Sequence, residues 1–219
     1  MSGRGLFDLT GKVALVTGAT RGLGMAMATG LGNAGARLVI NGRSGGASLE
    51  NAIDKYRHQG LEVSAHRFDV TDEGEVARSI ARIEGEVGPI DILVNNAGIQ
   101  RRVPLLEMPL SEWEGLIRTD LSSAFVVAKA VVPGMIERGG GKVINICSMM
   151  SELGRDSVGA YAAAKGGLKM LTRNMATEWA RHNIQVNGIG PGYFSTSLTG
   201  PLQADGHPFN EFIVNRTPA

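Results

Sequence analysis

The sequence predicts an α/β fold: a doubly wound parallel sheet with helices on both faces, in three layers. The first observation behind this prediction is that short apolar runs of strand length alternate with helical stretches six times along 219 residues. The second is a glycine-rich turn that joins the first such run to the first helical stretch. The third is that no repeat, low-complexity tract or linker divides the chain. We therefore predict that residues 1–219 form one domain, which is long enough to bury roughly 70 per cent of its unfolded surface.

The predicted strands are runs rich in Val and Ile, and the predicted helices between them have start and stop signals. Asp72, with Glu75 three residues later, predicts an N-cap, and Ser111 to Glu114 reads as a capping box. The strands are predicted at Val13–Val16, Arg37–Asn41, Val63–Phe68, Ile92–Val94, Val143–Ile146 and Ile184–Ile189. The helices are predicted from the glycine turn to Gly35, and at Ser48–Gln59, Asp72–Glu86, Ser111–Arg138 and Ser157–Arg181.

Composition narrows the class of protein. The formal net charge of +1 gives no electrostatic case for binding nucleic acid or an acidic membrane surface. The longest apolar runs are shorter than about 18 residues, and Met1–Lys12 has no apolar core of a signal peptide, so we expect a soluble, cytoplasmic protein. The single cysteine, Cys147, excludes an internal disulfide. No metal site is expected, because the four histidines lack ligand spacing: His58, His66, His182 and His207.

The first strand leads into a glycine turn, residues 17–24, and then into a helix. Gly18, Gly22 and Gly24 permit a tight turn, close approach of the backbone to a diphosphate, and close packing of helix on strand. The free N–H groups at the helix N-terminus favour an anion. This setting predicts a dinucleotide site of the Rossmann type.

The residues after the second strand bear on which nucleotide binds. An acidic side chain here usually binds the ribose 2′-hydroxyl of NAD, whereas a 2′-phosphate requires cations. The chain has Arg43 and no acid at this point, and Arg21 in the glycine turn is a second candidate for the phosphate. NADP is therefore favoured, and NAD is possible. The alternative is that Arg43 is an ordinary surface cation.

The ends of the third and fourth strands, and the loop that follows the fourth, carry further candidate site residues. Asp69 is expected to order its loop or touch the adenine. The segment 95–98, Asn-Asn-Ala-Gly, supplies small and amide groups at the carboxyl end of the fourth strand, where open α/β sheets bind ligands. Arg101 and Arg102 follow in the next loop. Either they are surface residues or one of them holds a carboxylate of the substrate.

Tyr161 and Lys165 are four residues apart on a predicted helix, so they lie on the same face. A cation beside a phenol is expected to lower the phenol pKa toward working pH, as an acid–base group requires. Ser148 follows the fifth predicted strand and is expected near the same point. A Tyr-x-x-x-Lys pair also arises by chance, so the rest of the chain decides its weight.

These motifs, in this order and spacing, resemble the short-chain dehydrogenase/reductase family from about Leu9 to the end of the chain. The resemblance implies that Tyr161 exchanges a proton with the substrate, Ser148 orients the reacting oxygen, and Lys165 holds the nicotinamide ribose. Asp120 stands where the family usually has Asn, completing the catalytic set through its main-chain carbonyl and a water. The implied cofactor site comprises Gly18, Thr20, Arg21, Gly22, Leu23, Gly24, Arg43, Asp69, Val70, Asn96, Ala97, Gly98, Tyr161, Lys165, Pro191 and Gly192.

Within the family, the stretches Ile144–Arg155 and Asn183–Ile189 are similar to members that act on sugar acids. This implies an oxidoreductase that interconverts D-gluconate and 5-dehydro-D-gluconate, with Arg101, Arg102, Ser148 and Tyr161 binding the substrate. The alternatives are a reductase of another ketone, such as a 3-oxoacyl thioester or a keto-deoxy sugar acid, and a dinucleotide-binding protein without turnover.

Two expectations concern the assembly. Family members usually continue some thirty to forty residues beyond a point like Pro218–Ala219, so the last strand of the sheet is expected to be missing. The helical stretches Glu112–Arg138 and Ser157–Arg181 present more apolar surface than one sheet face covers, which predicts a homo-oligomer.

Overall fold

The computed structural model describes residues 5–194, 196 and 208–215. His207 and the chain end at Pro218 and Ala219 lie outside the described residues. The strands are β1 (Val13–Val16), β2 (Arg37–Gly42), β3 (Val63–Arg67), β4 (Ile92–Asn95), β5 (Gly141–Ile146) and β6 (Ile184–Ile189). The helices are α1 (Gly22–Asn33), α2 (Ala47–His58), α3 (Glu73–Glu86), α4 (Leu110–Ile117), α5 (Ser123–Glu137), α6 (Gly159–Trp179) and α7 (Pro208–Val214).

The six strands form one parallel sheet in the order β3-β2-β1-β4-β5-β6. The direction of winding reverses between β1 and β4, which are hydrogen-bonded neighbours. A crevice outside the carboxyl ends of the strands forms at such a switch point and is where open α/β sheets bind ligands. The doubly wound fold is thus confirmed. In the described part of the chain β6 lies at a sheet edge, next to the position of the strand that was expected to be missing.

Alternating side chains of β1 build the two halves of the core. Val13 and Leu15 point to one face, where they join residues of α3, α5 and α6 such as Ile80, Val131 and Met175. Ala14 and Val16 point to the other face and pack with residues of α1 and α2. All four β1 residues are buried, as expected for a central strand with helices on both faces. The three-layer prediction is therefore confirmed.

The helix cap predicted at Asp72 is present, and the capping box predicted at Ser111 is not. The Asp72 carboxylate accepts a hydrogen bond of 2.7 Å from the N–H of Glu75 at the start of α3. In contrast, α4 begins one residue before Ser111, with Pro109 at the N-cap position and no side-chain cap. The proline fixes an extended backbone just before the helix, and so it decides where the helix starts.

A π-helical turn at Arg118–Ser122 joins α4 to α5, and the whole stretch Leu110–Glu137 is long and apolar enough to cross a membrane by length and composition. Val127, Val131 and Met135 on this stretch lie in the core against the sheet, so it is a core helix of the domain. The π turn is the feature that matters for the site. Single π turns inside α-helices occur frequently at functional positions, and this one contains Asp120.

Candidate active site

The turn between β1 and α1 has the backbone that a diphosphate requires. Gly18 and Gly22 have φ angles of +64° and +58°, which L residues with a Cβ rarely adopt. A Cβ on Gly22 would have only Thr196 within 4 Å, so the backbone there is open to a ligand. Arg21 at the N-cap of α1 makes no side-chain cap, which leaves the first N–H groups of the helix for an anion.

A hydrogen-bond network joins this turn to the loop after β4. The Asn96 amide donates to the carbonyls of Thr17 and Gly18, at 2.9 and 3.1 Å. The Thr17 hydroxyl accepts from the N–H groups of Asn96 and Ala97, both at 3.0 Å. Asn96 therefore acts as a brace between the two loops that flank the crevice.

Arg21 and Arg43, the cations predicted to favour NADP over NAD, lie on adjoining segments. Arg21 and Arg43 are both exposed, at the start of α1 and directly after β2. A Cβ on Gly42 would lie 2.8 Å from the Cγ2 atom of Thr20, so the residues next to the two arginines are in contact. The donor set and the absence of an acid after β2 fit a 2′-phosphate, with Arg21 and Arg43 as the residues that would hold it.

Two residues expected in the cofactor site have structural contacts. The Asp69 carboxylate accepts hydrogen bonds from the N–H and the hydroxyl of Thr71, at 2.9 and 2.8 Å, so it orders its own loop. Val70 is buried in the core beside α3 and α5, so its side chain faces away from the crevice. Only the backbone of Val70 is left for a ligand, because its side chain completes the core.

Ser148 lies just beyond the carboxyl end of β5, where the strand turns into a short 3₁₀ helix. Its hydroxyl accepts from the N–H of Met150 at 3.1 Å, and its own N–H donates to the hydroxyl of Ser151 at 3.2 Å. Ser151 in turn donates to the carbonyl of Lys165 at 2.9 Å, which links this turn to α6. These bonds fix the Ser148 backbone beside α6.

The loop after β6 lies against the same turn. The N–H of Met149 donates to the carbonyl of Pro191 at 3.2 Å. A Cβ on Gly190 would lie 3.5 Å from the carbonyl carbon of Ser148. Gly192 is exposed, and a Cβ there would meet nothing within 4 Å. The predicted cofactor residues Pro191 and Gly192 thus lie next to Ser148 at the carboxyl edge of the sheet.

Tyr161 and Lys165 lie on one face of α6, as the four-residue spacing predicts. The Lys165 Nζ atom is 5.7 Å from the centre of the Tyr161 ring and donates to the carbonyl of Ile146 at 2.9 Å. Lys165 is only 5% exposed, so this charge is almost entirely removed from water. The phenol packs against the small cluster of Leu116, Ala160 and Ala164.

The expected lowering of the Tyr161 pKa is not found. Burial raises the pKa of the phenol, and the charge of Asp120 and the thiol of Cys147 raise it further, whereas hydrogen bonding by Ser148 lowers it. Burial of the phenol is the main cause. In addition, the ammonium of Lys165 does not face the phenol alone. It is also paired with Asp120, whose Oδ2 atom lies 3.5 Å from Nζ.

Asp120 departs from the role that the resemblance implies. Its side chain, and not only its main chain, faces the site: Oδ1 accepts from the N–H of Ile99 at 2.7 Å, and Oδ2 faces Lys165. The residue is 2% exposed. Burial raises the pKa of this carboxyl, and the cation of Lys165 and the Ile99 N–H act in the opposite direction. Asp120 and Lys165 therefore form a buried ion pair at the site.

One of the two arginines predicted to bind substrate, Arg102, interacts with a further cation. Burial lowers the pKa of Arg102, the cation of Arg155 lowers it further, and Tyr193 raises it, so Arg155 and Tyr193 lie within electrostatic range of Arg102. Arg155 donates a hydrogen bond to the Tyr193 hydroxyl. The N–H of Val103 donates to the carbonyl of Ser157 at 2.9 Å, which holds the two loops together.

Arg155 and Tyr193 were missed as site residues from the sequence. The sequence did contain a signal for Arg155, which was not used: it is a cation six residues before Tyr161, in the loop between β5 and α6. Arg101 is exposed. Arg102 is exposed as well, and what marks it out is its electrostatic interaction with Arg155 and Tyr193.

Comparison with known proteins agrees with this geometry. Residues 12–206 match the sequence profile of the short chain dehydrogenase family. The chain is 64% identical over 214 residues to a 2-dehydro-3-deoxy-D-gluconate 5-dehydrogenase of Formosa agariphila, covering 98% of this chain and 81% of that protein. It is 49% identical over 219 residues to a gluconate 5-dehydrogenase of Gluconobacter oxydans, covering 100% and 85% of the two chains.

A solved structure of a relative has a similar fold. The gluconate 5-dehydrogenase of Burkholderia cenocepacia, in complex with NADP and tartrate, superposes with a TM-score of 0.91 at 46% identity, covering 97% of this chain and 83% of that one. The profile match spans most of the chain, and the glycine turn and the Ser148, Tyr161 and Lys165 set stand at one edge of the sheet. The chain belongs to the short-chain dehydrogenase family and is an NAD(P)-dependent oxidoreductase that acts on a CH–OH group.

Proposed function

We propose that this protein transfers a hydride between NADP and carbon 5 of a six-carbon sugar acid, with D-gluconate and 5-dehydro-D-gluconate as the leading pair. The observation that carries the proposal is the arrangement at the carboxyl edge of the sheet. The proton-transfer set of Ser148, Tyr161 and Lys165 and the cations Arg102 and Arg155 belong to loops that meet there.

Proton transfer is the work of Tyr161 in this proposal. In the reducing direction its phenol donates a proton to the carbonyl oxygen, and in the oxidising direction its phenolate accepts the proton of the hydroxyl. Ser148 donates a hydrogen bond to the same oxygen and so fixes the carbon for transfer. The raised pKa of Tyr161 keeps the phenol protonated over a wide pH range, which favours the donor role.

The nicotinamide nucleotide, when bound, supplies the hydride donor or acceptor. The chain's own residues bind and orient it. The open backbone of Gly22 and the uncapped start of α1 suit the diphosphate, and Arg21 and Arg43 suit the 2′-phosphate. NADP is bound in the Burkholderia cenocepacia relative, which supports the same choice for this chain.

The cation cluster supports an anionic substrate. A carboxylate accepts two parallel hydrogen bonds from a guanidinium, and two guanidinium groups that face each other are stabilised when an anion lies between them. Arg102 and Arg155 lie within electrostatic range of each other, which suits such an arrangement. The Burkholderia cenocepacia relative holds tartrate, a hydroxy acid. A 3-oxoacyl thioester has no carboxylate to place here, so the sugar acid is the better match.

A second substrate, 2-dehydro-3-deoxy-D-gluconate, is favoured by one observation. The relative from Formosa agariphila, which is named for that activity, is 64% identical, against 49% for the Gluconobacter oxydans protein named for gluconate. Both names specify position 5 of a six-carbon sugar acid. The two candidates differ at carbons 2 and 3, so the reacting end of the substrate is the same in both.

A substrate panel with the purified protein tests the proposal. We expect NADPH to be oxidised with 5-dehydro-D-gluconate, and NADP to be reduced with D-gluconate or 2-dehydro-3-deoxy-D-gluconate. Tyr161→Phe removes only the proton donor, so we expect it to retain NADPH binding and lose at least about a hundredfold in kcat. Turnover of 3-oxoacyl thioesters with no turnover of sugar acids would overturn the substrate class. Near-normal rates in Tyr161→Phe would overturn the mechanism.

We also propose a homo-oligomer in the cytoplasm, where NADP is available. Support for the oligomer comes from large apolar side chains exposed on the described helices and on the loop before α4. Phe125 on α5 and Met170 on α6 are 49% and 53% exposed, and Leu106 is fully exposed. Multi-angle light scattering at micromolar concentration is expected to give at least a dimer. A monomer would contradict the proposal.

A further inference from the structure

Asp120 places a negative charge in the buried part of the site, beside Lys165. The π turn at Arg118–Ser122 directs its carboxylate toward α6, where Oδ2 lies 3.5 Å from the Nζ atom of Lys165. Both side chains are almost completely buried, with Asp120 at 2% and Lys165 at 5% exposure. A buried pair of opposite charges interacts more strongly than one in water, because the surrounding dielectric is lower.

The two oxygens of Asp120 have different partners. Oδ1 accepts a hydrogen bond of 2.7 Å from the N–H of Ile99, which ties the π turn to the loop after β4. Oδ2 is buried and has no hydrogen-bond partner among the described residues, apart from the ionic contact with Lys165. A neutral amide would keep the first contact and would not supply the second charge.

The ionisable groups around the phenol come from three elements. Lys165 and Tyr161 itself belong to α6, Asp120 belongs to the π turn, and Cys147 lies at the end of β5. Asp120 and Cys147 disfavour the phenolate, and the Ser148 side chain favours it through a hydrogen bond. Lys165 is held by the carbonyl of Ile146 and by Asp120, so the phenol lies beside a cation that also has an anionic partner.

We propose that Asp120 is a positioning residue that acts through Lys165: its carboxylate holds the ammonium in a buried pair and so sets the pH range in which Tyr161 exchanges its proton. This inference rests on the proposed role of Tyr161. The consequence is directional. A carboxylate at this position keeps the phenol in its protonated, donor form to higher pH, which adapts the enzyme to reduction of the carbonyl and requires more alkaline solution for oxidation of the alcohol.

Asp120→Asn is the test, because Asn has the same shape and its oxygen can still accept from the Ile99 N–H. The first readout is the phenolate absorbance of the protein alone, titrated with alkali and taken as the difference from the same variant carrying Tyr161→Phe. We expect the apparent pKa of Tyr161 to fall by about one unit in Asp120→Asn relative to wild type. The second readout is kcat against pH for sugar-acid oxidation, whose rise should move to lower pH by the same amount.

Glu73→Gln is the matched control. It also removes one negative charge, but from an exposed pair with Lys129 on the surface of α3 and α5. It should leave both profiles unchanged, since exposed charges are screened by water and salt. If Asp120→Asn folds poorly, Asp120→Ser removes the same charge and carries the same expectation.

The outcomes separate this inference from the proposed function. An unchanged Tyr161 titration and an unchanged pH profile in both neutral variants would overturn the role of Asp120, even with full activity on sugar acids. A shifted titration of the free protein supports it, whichever sugar acid is the substrate. A loss of kcat that is equal at every pH, with no shift in titration, would mean that Asp120 has only a structural role and would also overturn the inference.

Discussion

Gly24→Ala is expected to disrupt the brace between the two loops of the cofactor site. A Cβ at position 24 would lie 2.5 Å from the amide nitrogen of Asn96, 2.5 Å from the carbonyl oxygen of Gly18 and 3.0 Å from the Cα atom of Ala19. Two of these three neighbours are backbone atoms, so rotating a side chain does not relieve the overlap. The turn itself must move away from α1.

The size of the effect follows from opposing contributions. Alanine in place of glycine inside a helix stabilises it by about 1 kcal/mol. Overpacking costs about 1–3 kcal/mol, and displacing Asn96 weakens its bonds to the Thr17 and Gly18 carbonyls, each contributing about 1 kcal/mol. We expect a net loss of about 2 kcal/mol in the free energy of unfolding. For a chain of this size that corresponds to a fall in Tm of about 4–8 °C.

Gly30→Ala is the matched control on the same helix. Gly30 is exposed in α1, and a Cβ there would meet nothing within 4 Å. Only the helix propensity remains, so this variant should gain about 0.5–1 kcal/mol. The assay is urea unfolding followed by circular dichroism at one fixed protein concentration, with NADPH affinity measured by fluorescence. If the two alanine variants were equally stable and bound NADPH equally well, the packing argument for Gly24 would be refuted.

Two further predictions concern the cations of the site. Arg43→Ala should weaken binding of NADP at least about tenfold and leave the affinity for NAD little changed, because a charge-assisted contact to the 2′-phosphate is lost. The measurement is titration calorimetry. Equal losses of affinity for both nucleotides would mean that Arg43 is a surface residue only. Arg102→Met, which removes the cation that interacts with Arg155, should raise KM for the sugar acid about tenfold or more, with NADPH affinity unchanged. Arg101→Met, at the neighbouring and likewise exposed cation, should not. Similar KM values in the two variants would count against a carboxylate site at Arg102.

The fold could be predicted from the sequence because the signals for strands and helix caps are local. Short runs of strand type placed all six strands within one or two residues at each end. The signal is clearest for the central strands β1 and β4, since a buried parallel strand is apolar on both faces. The Asp72 cap could be read from two residues because a cap is made within one turn. The start of α4 was wrong by one residue, because Pro109 fixes the preceding backbone and the pattern at Ser111 did not take this into account.

The sequence also predicted which candidate site residues lie close together. Helix geometry put Tyr161 and Lys165 on one face, and the end of a buried strand put Ser148 beside them. Residue type and spacing are enough here because both elements are regular. The cofactor turn was likewise predictable, since the positive φ angles of Gly18 and Gly22 are the reason that glycine stands at those positions.

Only the tertiary structure decided how the charges of the site act on one another. The sequence pairs Lys165 with Tyr161, four residues away, and predicts a lowered phenol pKa. The fold removes much of the phenol from water and brings Asp120 to Lys165 across 45 positions of the chain, so burial, together with the charge of Asp120, raises the pKa of Tyr161. Arg155 and Tyr193 join Arg102 in the same way, from separate loops. Electrostatic interaction depends on distance in space and on burial, and neither is encoded in the local spacing of residues.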